Sequence, residues 1–392
     1  MDKVESVVLV EPLCHGLEHV PFNLGFLLLV KHAFPEATLH FIGDTSHLEC
    51  IRQCAPVNAL DGIKLESVQL PKRHCRPFFE RLRNEKPLFS KISSLMQKDS
   101  GLVIFLASPT SSLVNAWRTL TSDLRLQIHF VMHGGMSKLR FWRSRNPLLR
   151  VLEDRFLFLR LSRSNFRYVI LERSIQEELK MISPYLAAKS ILVEHPLPPT
   201  SASSMRTGLS NPIKIGFLGL ASPQKGFVEF CKFAKQMQSI QPGVYEFHTI
   251  GSLPKSTDFS PDLISGLTTI PAIEKIDRNE FVERILELDF VAMPYKAEHY
   301  SASPSGILLD AIAYGKPILV TPYPTVENLF HKFGHFGILA PLTDWAQALQ
   351  QFASNTPLET YCQWHRVLQK VGDSRSIETL ARSFRSQVFE TN

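Results

Sequence analysis

Long apolar runs are missing from this chain. The longest near its start, Phe26 to Val30, stops at Lys31 and is far too short to cross a bilayer. Low-complexity tracts are missing too, and 44% hydrophobic with 20% charged residues are globular proportions, so disorder is not expected. Cysteine is sparse: six residues, at positions 14, 50, 54, 75, 231 and 362, none in a Cys-x-x-Cys pair. Cys50 and Cys54 are spaced for one face of a helix. This scatter, with no secretory leader at the start of the sequence, predicts free and mostly buried thiols in a reducing cytoplasm. No Asp-x-Asp pair occurs, so the motif that would hold a divalent cation against a diphosphate is absent and no metal is expected.

What is present is concentrated between Ser301 and Pro317. A Ser/Gly turn leads into a helix, a glycine ends it, and the apolar strand Pro317-Ile318-Leu319-Val320 follows. Ser303 or Ser305 can cap the helix, and Gly306 lets another group approach its first turn. Free N–H groups of Ser305, Gly306 and Ile307, with the positive end of the helix dipole, suit an anion, most naturally a phosphate. Asp310 lies one turn further in, where a carboxylate can accept from ribose hydroxyls. The unit predicts a nucleotide-diphosphate site with no resident cofactor.

At 392 residues the chain suits two domains. Strands are expected at Ser6 to Val10, Thr38 to Gly43, Leu102 to Ala107, Ile128 to Met132, Tyr168 to Leu171 and Ile191 to Val193, with helical segments between them, the first from about Pro21 to Phe34. Pro196 to Pro212, rich in proline and serine, reads as a linker. A second series follows: strands Ile213 to Leu218, Tyr245 to Gly251, Phe290 to Met293 and Ile318 to Thr321, with helices Gly226 to Ile240 and Glu280 to Glu287. Strands alternating with helices predict an α/β fold of two doubly wound parallel sheets. The expected layout is residues 1–198, a linker at 199–212, a second domain at 213–375, and a helix at 376–392 crossing back to the first. Ligands of such sheets sit at the carboxyl ends of the strands, here in a cleft between the domains that closure across the linker would complete.

Several segments then resemble the nucleotide-sugar glycosyltransferases with two Rossmann-like domains, the GT-B class, and particularly its large retaining group. Gly219-Leu220-Ala221-Ser222-Pro223-Gln224-Lys225-Gly226 resembles the family's loop after the first donor-domain strand. Met293-Pro294-Tyr295, Ser305-Gly306, Asp310-Ala311 and Gly315-Lys316-Pro317 resemble its donor-site run. The resemblance implies donor contacts at Gly219, Lys225, Tyr295, Ser305, Gly306, Ile307 and Asp310, and main-chain contacts to the base from Ala272 and Ile273. It also implies roles in the reaction for Lys225, for Glu18 and His19 in the first loop, and for His133, which precedes Gly134-Gly135. The implied activity is metal-independent, retaining transfer of a sugar to a glycan or lipid-linked acceptor, with the leaving phosphate taking the acceptor's proton. Negative charge building on the diphosphate would be met by preorganised donors. Two family positions are changed: a glutamate expected eight residues before Asp310 is Ala302, and an arginine that partners the lysine is Leu220. Those changes keep a second reading open, a non-catalytic nucleotide-sugar binder or partner subunit. An epimerase is a third, with His133, Glu18 and Glu298 as its acid/base candidates. Taken singly, Gly315-Lys316-Pro317 is only a helix stop before a strand.

Residues 138–167 carry nine basic against two acidic side chains, a net of +7, more than the whole chain's +6. Phe141, Trp142, Leu148, Leu149, Phe156, Phe158 and Leu161 are interleaved, and Asn146-Pro147 starts a helix. The segment suits an anionic membrane surface, at about 1 kcal/mol per basic residue near the lipid, or a solvated face over a core helix. No nucleic-acid motif accompanies it.

Overall fold

A computed structural model describes residues 4–70, 78–96, 101–110, 112–114, 127–133, 139, 144–153, 155–156, 165–199, 208–254, 258–300 and 303–390. The chain forms two compact units, one comprising Met1–Pro199, Ala302–Pro304 and Arg375–Asn392, the other Thr200–Ser301 and Ser305–Ser374. Each is built on an all-parallel sheet, as the alternation of strands and helices predicts.

In the first unit, strands β1 (Ser6–Val10), β2 (Thr38–Asp44), β3 (Ile63–Val68), β4 (Leu102–Leu106), β5 (Gln127–Val131), β6 (Phe166–Ile170) and β7 (Ser190–Leu192) lie in the order β3-β2-β1-β4-β5-β6-β7. Val7 to Val10 and Leu102 to Leu106 are buried on both faces, which is why these runs are continuously apolar rather than alternating. Edge strand β3 escaped the sequence reading, because Ile-Lys-Leu-Glu-Ser-Val mixes exposed and half-buried positions. The helix Val20–Ala33 is apolar on nearly every side, and the helix Ile377–Glu390 packs along it. That second helix adds Leu380, Ala381, Phe384 and Val388 to the first unit's core. Arg375, just before it, is buried and forms a bidentate ion pair with Glu172, both bonds 2.8 Å. Burial works to raise the Glu172 carboxyl; Arg375 overcomes it and leaves it below its ordinary value.

In the second unit, β8 (Ile213–Leu218), β9 (Tyr245–Ile250), β10 (Phe290–Met293), β11 (Ile318–Val320) and β12 (Gly337–Leu339) lie in the order β12-β11-β10-β8-β9. Strand order reverses between β8 and β10, the switch point at which open α/β sheets hold ligands beyond the carboxyl ends. The helix expected from Glu280 begins at Arg278, because Asp277 caps it by accepting from the N–H groups of Asn279 and Glu280. Among the described residues five cysteines are free, and only Cys14 and Cys231 are buried; the expected burial is an overstatement for Cys50, Cys54 and Cys362. Cys75 lies outside the described residues. No described helix is long and apolar enough to cross a membrane.

Of the basic segment, the helix expected from Leu148 onward begins as a 3₁₀ turn at Pro147–Leu152; Arg155 and Phe156 are helical, and the rest of that span, 157–164, lies outside the described residues. Asn146 caps the 3₁₀ turn, accepting from the Leu148 N–H. Leu148, Leu149 and Val151 are exposed. Lys138, Arg140, Phe141, Trp142, Arg143, Phe158, Arg160, Leu161 and Arg163 lie outside the described residues.

Candidate functional site

The two loops that leave the second unit's switch point carry the expected donor residues. After β8 the chain turns at Gly219 (φ 85°), runs through a 3₁₀ turn at Pro223–Lys225, and enters the helix Phe227–Ile240 at Gly226 (φ 79°). A Cβ on Gly226 would land on the Pro294 carbonyl oxygen, so glycine lets this loop close against the one after β10. A Cβ on Gly219 would sit 3.4 Å from both Lys225 Nζ and Ile307 Cδ1. Gly219, the Lys225 ammonium and the first turn of the helix Gly306–Ala313 therefore converge.

Ser305 is the cap of that helix: its Oγ accepts from the Leu308 N–H at 3.3 Å. The N–H groups of Gly306 and Ile307 stand in the first turn, where an α-helix offers no carbonyl partner. Gly306 is exposed and a Cβ there would meet nothing within 4 Å, so the entrance is open. Lys225 is half-buried, and burial pulls its ammonium below its ordinary value. It forms no ion pair among the described residues. A largely desolvated cation beside first-turn amides has the charge and the donors that suit an anion.

The remaining donor-side expectations divide. Tyr295 is buried, stacks on Tyr300 with centroids 3.8 Å apart, and shares a 3.2 Å hydroxyl hydrogen bond with Ser305. It supports the cap from behind. Ala272 pairs with the strand-end chain: its N–H donates to Gly251 and its carbonyl accepts from Leu253. Its main-chain groups are spent, whereas Ile273 next to it is 87% exposed. Lys316 is buried and donates to the carbonyls of Leu286 and Leu288, closing the end of the helix Arg278–Glu287. Asp310 is also buried, and Arg278 Nη2 donates to its Oδ1 at 2.6 Å. Burial raises the Asp310 carboxyl and Arg278 pulls it part of the way back. Sequence reasoning missed Arg278; its only signal was that an acid among apolar helix neighbours needs a counter-charge.

In the first unit the loops after β1 and β4 flank the other reversal of strand order. Glu11, fully buried, was not singled out, yet it organises the first loop. Its Oε1 accepts from the N–H groups of Leu13 and Cys14, and its Oε2 from Asn23 Nδ2 and the Ser108 hydroxyl. His47 Nδ1 donates to the Gly16 carbonyl, leaving Nε2 to accept from Asn23. Beyond this network the loop reaches half-buried Glu18 and then His19, which enters the helix with φ 55°. His19 and His133 meet with ring centroids 4.6 Å apart, His133 stacks on Phe22 at 4.1 Å, and His195 lies 5.6 Å beyond. Burial, then the two neighbouring imidazoles, holds His133 well below its ordinary value, so it is neutral at pH 7. His133 Nδ1 is buried with no hydrogen-bond partner among the described residues. Sequence placed Glu18, His19 and His133 after strands; it gave no sign of His195.

Comparison with solved structures aligns the whole chain. A glycosyltransferase from Rickettsia africae matches with TM-score 0.65 at 12% identity, covering 98% of this chain and 99% of that one. Anabaena HepE in complex with UDP and glucose matches with TM-score 0.64 at 14% identity and 98% coverage of both. An E. coli structure described as trehalose-6-phosphate bound with UDP-2-fluoro glucose matches with TM-score 0.62 at 12% identity, covering 98% and 99%. The fold is GT-B. No family model and no curated protein matches the sequence. At these identities the GT-B likeness speaks for architecture, and the chemistry has to come from the chain's own residues.

Proposed function

We propose that this GT-B chain is a glycosyltransferase that takes a sugar from a nucleotide-diphosphate donor and passes it to a glycan or lipid-linked acceptor. One observation carries the reading: the Lys225 ammonium, without a carboxylate partner among the described residues, lies beside the open amide entrance of the helix Gly306–Ala313 at a switch point. In glycosyl transfer the anomeric carbon–oxygen bond breaks and charge grows on the leaving diphosphate. Lys225 and the Gly306 and Ile307 amides stabilise that charge without reorganising. The protein then needs no nucleophile, and in a retaining reaction a phosphate oxygen takes the acceptor's proton. His133, neutral and with an unpaired Nδ1, contributes hydrogen bonding to a sugar hydroxyl rather than a proton. Glu18 and His19 belong to the same acceptor side.

A non-catalytic binder is the second reading. It is favoured by Leu220, 41% exposed where the resemblance expects an arginine to join Lys225. Donor hydrolysis or transfer by the purified chain, lost in Lys225→Ala, decides for the enzyme. Tight nucleotide binding with no turnover across a broad acceptor panel decides for the binder.

A peripheral place on an anionic, cytoplasmic membrane face belongs to the same proposal. Exposed Leu148, Leu149 and Val151 beside Arg145, Arg150 and Arg155 support it. Co-sedimentation with phosphatidylglycerol vesicles, but not with phosphatidylcholine vesicles, is the expected result.

A further inference from the structure

Asp310 lies four residues beyond Gly306, so both stand on one face of the helix, a turn apart. That face is open at Gly306. The carboxylate on that side of the helix has a fixed partner. Its Oδ1 is held at 2.6 Å by Arg278 Nη2, which also donates to the Tyr314 hydroxyl at 3.3 Å. The guanidinium carbon lies 4.9 Å from the Phe281 ring centroid and 5.8 Å from that of Tyr314. A planar cation placed over two rings, and hydrogen-bonded at one nitrogen, is a rigid fixture, and a lysine cannot reproduce it.

With Oδ1 committed, Oδ2 is the carboxylate's remaining acceptor. An ionised oxygen with two lone pairs can take two hydroxyl protons, whereas a neutral carboxyl or an amide at that place offers weaker and differently directed bonds. A cis-diol next to a diphosphate is the ligand chemistry that fits an acceptor one helical turn inward from an anion site. We propose that Arg278 is a positioning residue, fixing ionised Asp310 so that Oδ2 selects a ribonucleoside over a 2′-deoxyribonucleoside diphosphate. This rests on the donor-site reading above and deepens it: sugar selectivity of the nucleoside is set from the neighbouring helix, 32 positions away in sequence.

The test is calorimetric binding of UDP, GDP and ADP, their 2′-deoxy forms, and inorganic pyrophosphate to the wild type, Arg278→Lys, Tyr314→Phe and Asp310→Asn. The wild type is expected to prefer the ribonucleotide by about tenfold or more, the scale of one hydrogen bond to a charged group. Arg278→Lys and Asp310→Asn should reduce that preference to within about threefold while pyrophosphate affinity stays unchanged. Tyr314→Phe, a milder change, should give an intermediate preference. If Arg278→Lys and Tyr314→Phe both keep the wild-type preference, Arg278 does not position Asp310. If their pyrophosphate affinity falls in parallel, Arg278 acts on the whole site and the proposal is overturned. Equal wild-type binding of ribo and deoxy forms overturns this inference alone. No wild-type binding of any nucleoside diphosphate overturns it together with the donor-site reading.

Discussion

Ser305 and Tyr295 are joined hydroxyl to hydroxyl at 3.2 Å, so the residue that opens the anion site is itself held by a buried ring. Ser305→Ala removes the helix cap at about 1 kcal/mol and leaves the Tyr295 hydroxyl unpaired. Ser305→Asp restores a cap but puts a negative charge at the anion entrance. Thermal unfolding should rank the wild type and Asp variants above Ala, whereas pyrophosphate binding should rank Asp last. Parallel rankings in the two assays would mean the cap has no separate role in anion binding.

Lys225→Ala should raise the dissociation constant for nucleoside diphosphates about ten- to hundredfold, the value of a charge-assisted bond. It should not lower the melting temperature, because the ammonium satisfies no partner among the described residues. A variant that loses stability while keeping affinity would move Lys225 from the site to the core.

Gly226→Ala tests the closure of the two switch-point loops. Positive φ costs about 1–3 kcal/mol for alanine, before any clash with the Pro294 carbonyl. Denaturant titration should show that loss, together with weakened pyrophosphate binding. Wild-type stability in this variant would show that the loops do not meet as described.

The histidines of the first unit make stability pH-dependent. Burial brings His195 down to about 4 from 6.5, and His133 moves in the same direction. Between those values the unfolded chain binds more protons, so stability rises with pH across the window and falls as acid is added. His195 accounts for about 3 kcal/mol of that fall. Urea midpoints at pH 7, 5.5 and 4.5 should show a shallower acid limb for His195→Phe. An unaltered limb would mean His195 keeps its proton in the folded state.

Arg375→Met leaves Glu172 buried without its counter-charge and should cost about 3–5 kcal/mol near neutral pH. Glu172 lies below its ordinary value, so the pair's contribution is present above about pH 4.5 and lost as the pH falls further. Measured at pH 3, the difference between variant and wild type should be smaller than at pH 7. A constant difference at both pH values would assign the loss to packing.

Both parallel sheets were legible because their central strands, Ser6–Val10, Ile213–Leu218 and Phe290–Met293, are short apolar runs followed by loops and amphipathic helices. One edge of each was not: β3 is half polar, and β12, Gly-Ile-Leu, is too short to carry a pattern. At the site, Ser305, Gly306 and Lys225 announce themselves through turn and cap chemistry, which is local. Arg278 and Glu11 could not, because their roles are fixed by partners 32 and 97 positions away across loops whose packing no spacing rule encodes. Lys316 fits the plainer reading of Gly-Lys-Pro as a structural stop: its ammonium serves two helix-end carbonyls.

The helix Ile377–Glu390 supplies Leu380, Ala381, Phe384 and Val388 to a core whose other buried members come from residues before 200. During synthesis the apolar floor of those residues therefore stays uncovered until the chain from residue 377 onward has also emerged. The intervening lobe, Thr200–Ser301 with Ser305–Ser374, is synthesised before that cover arrives and is free to fold first.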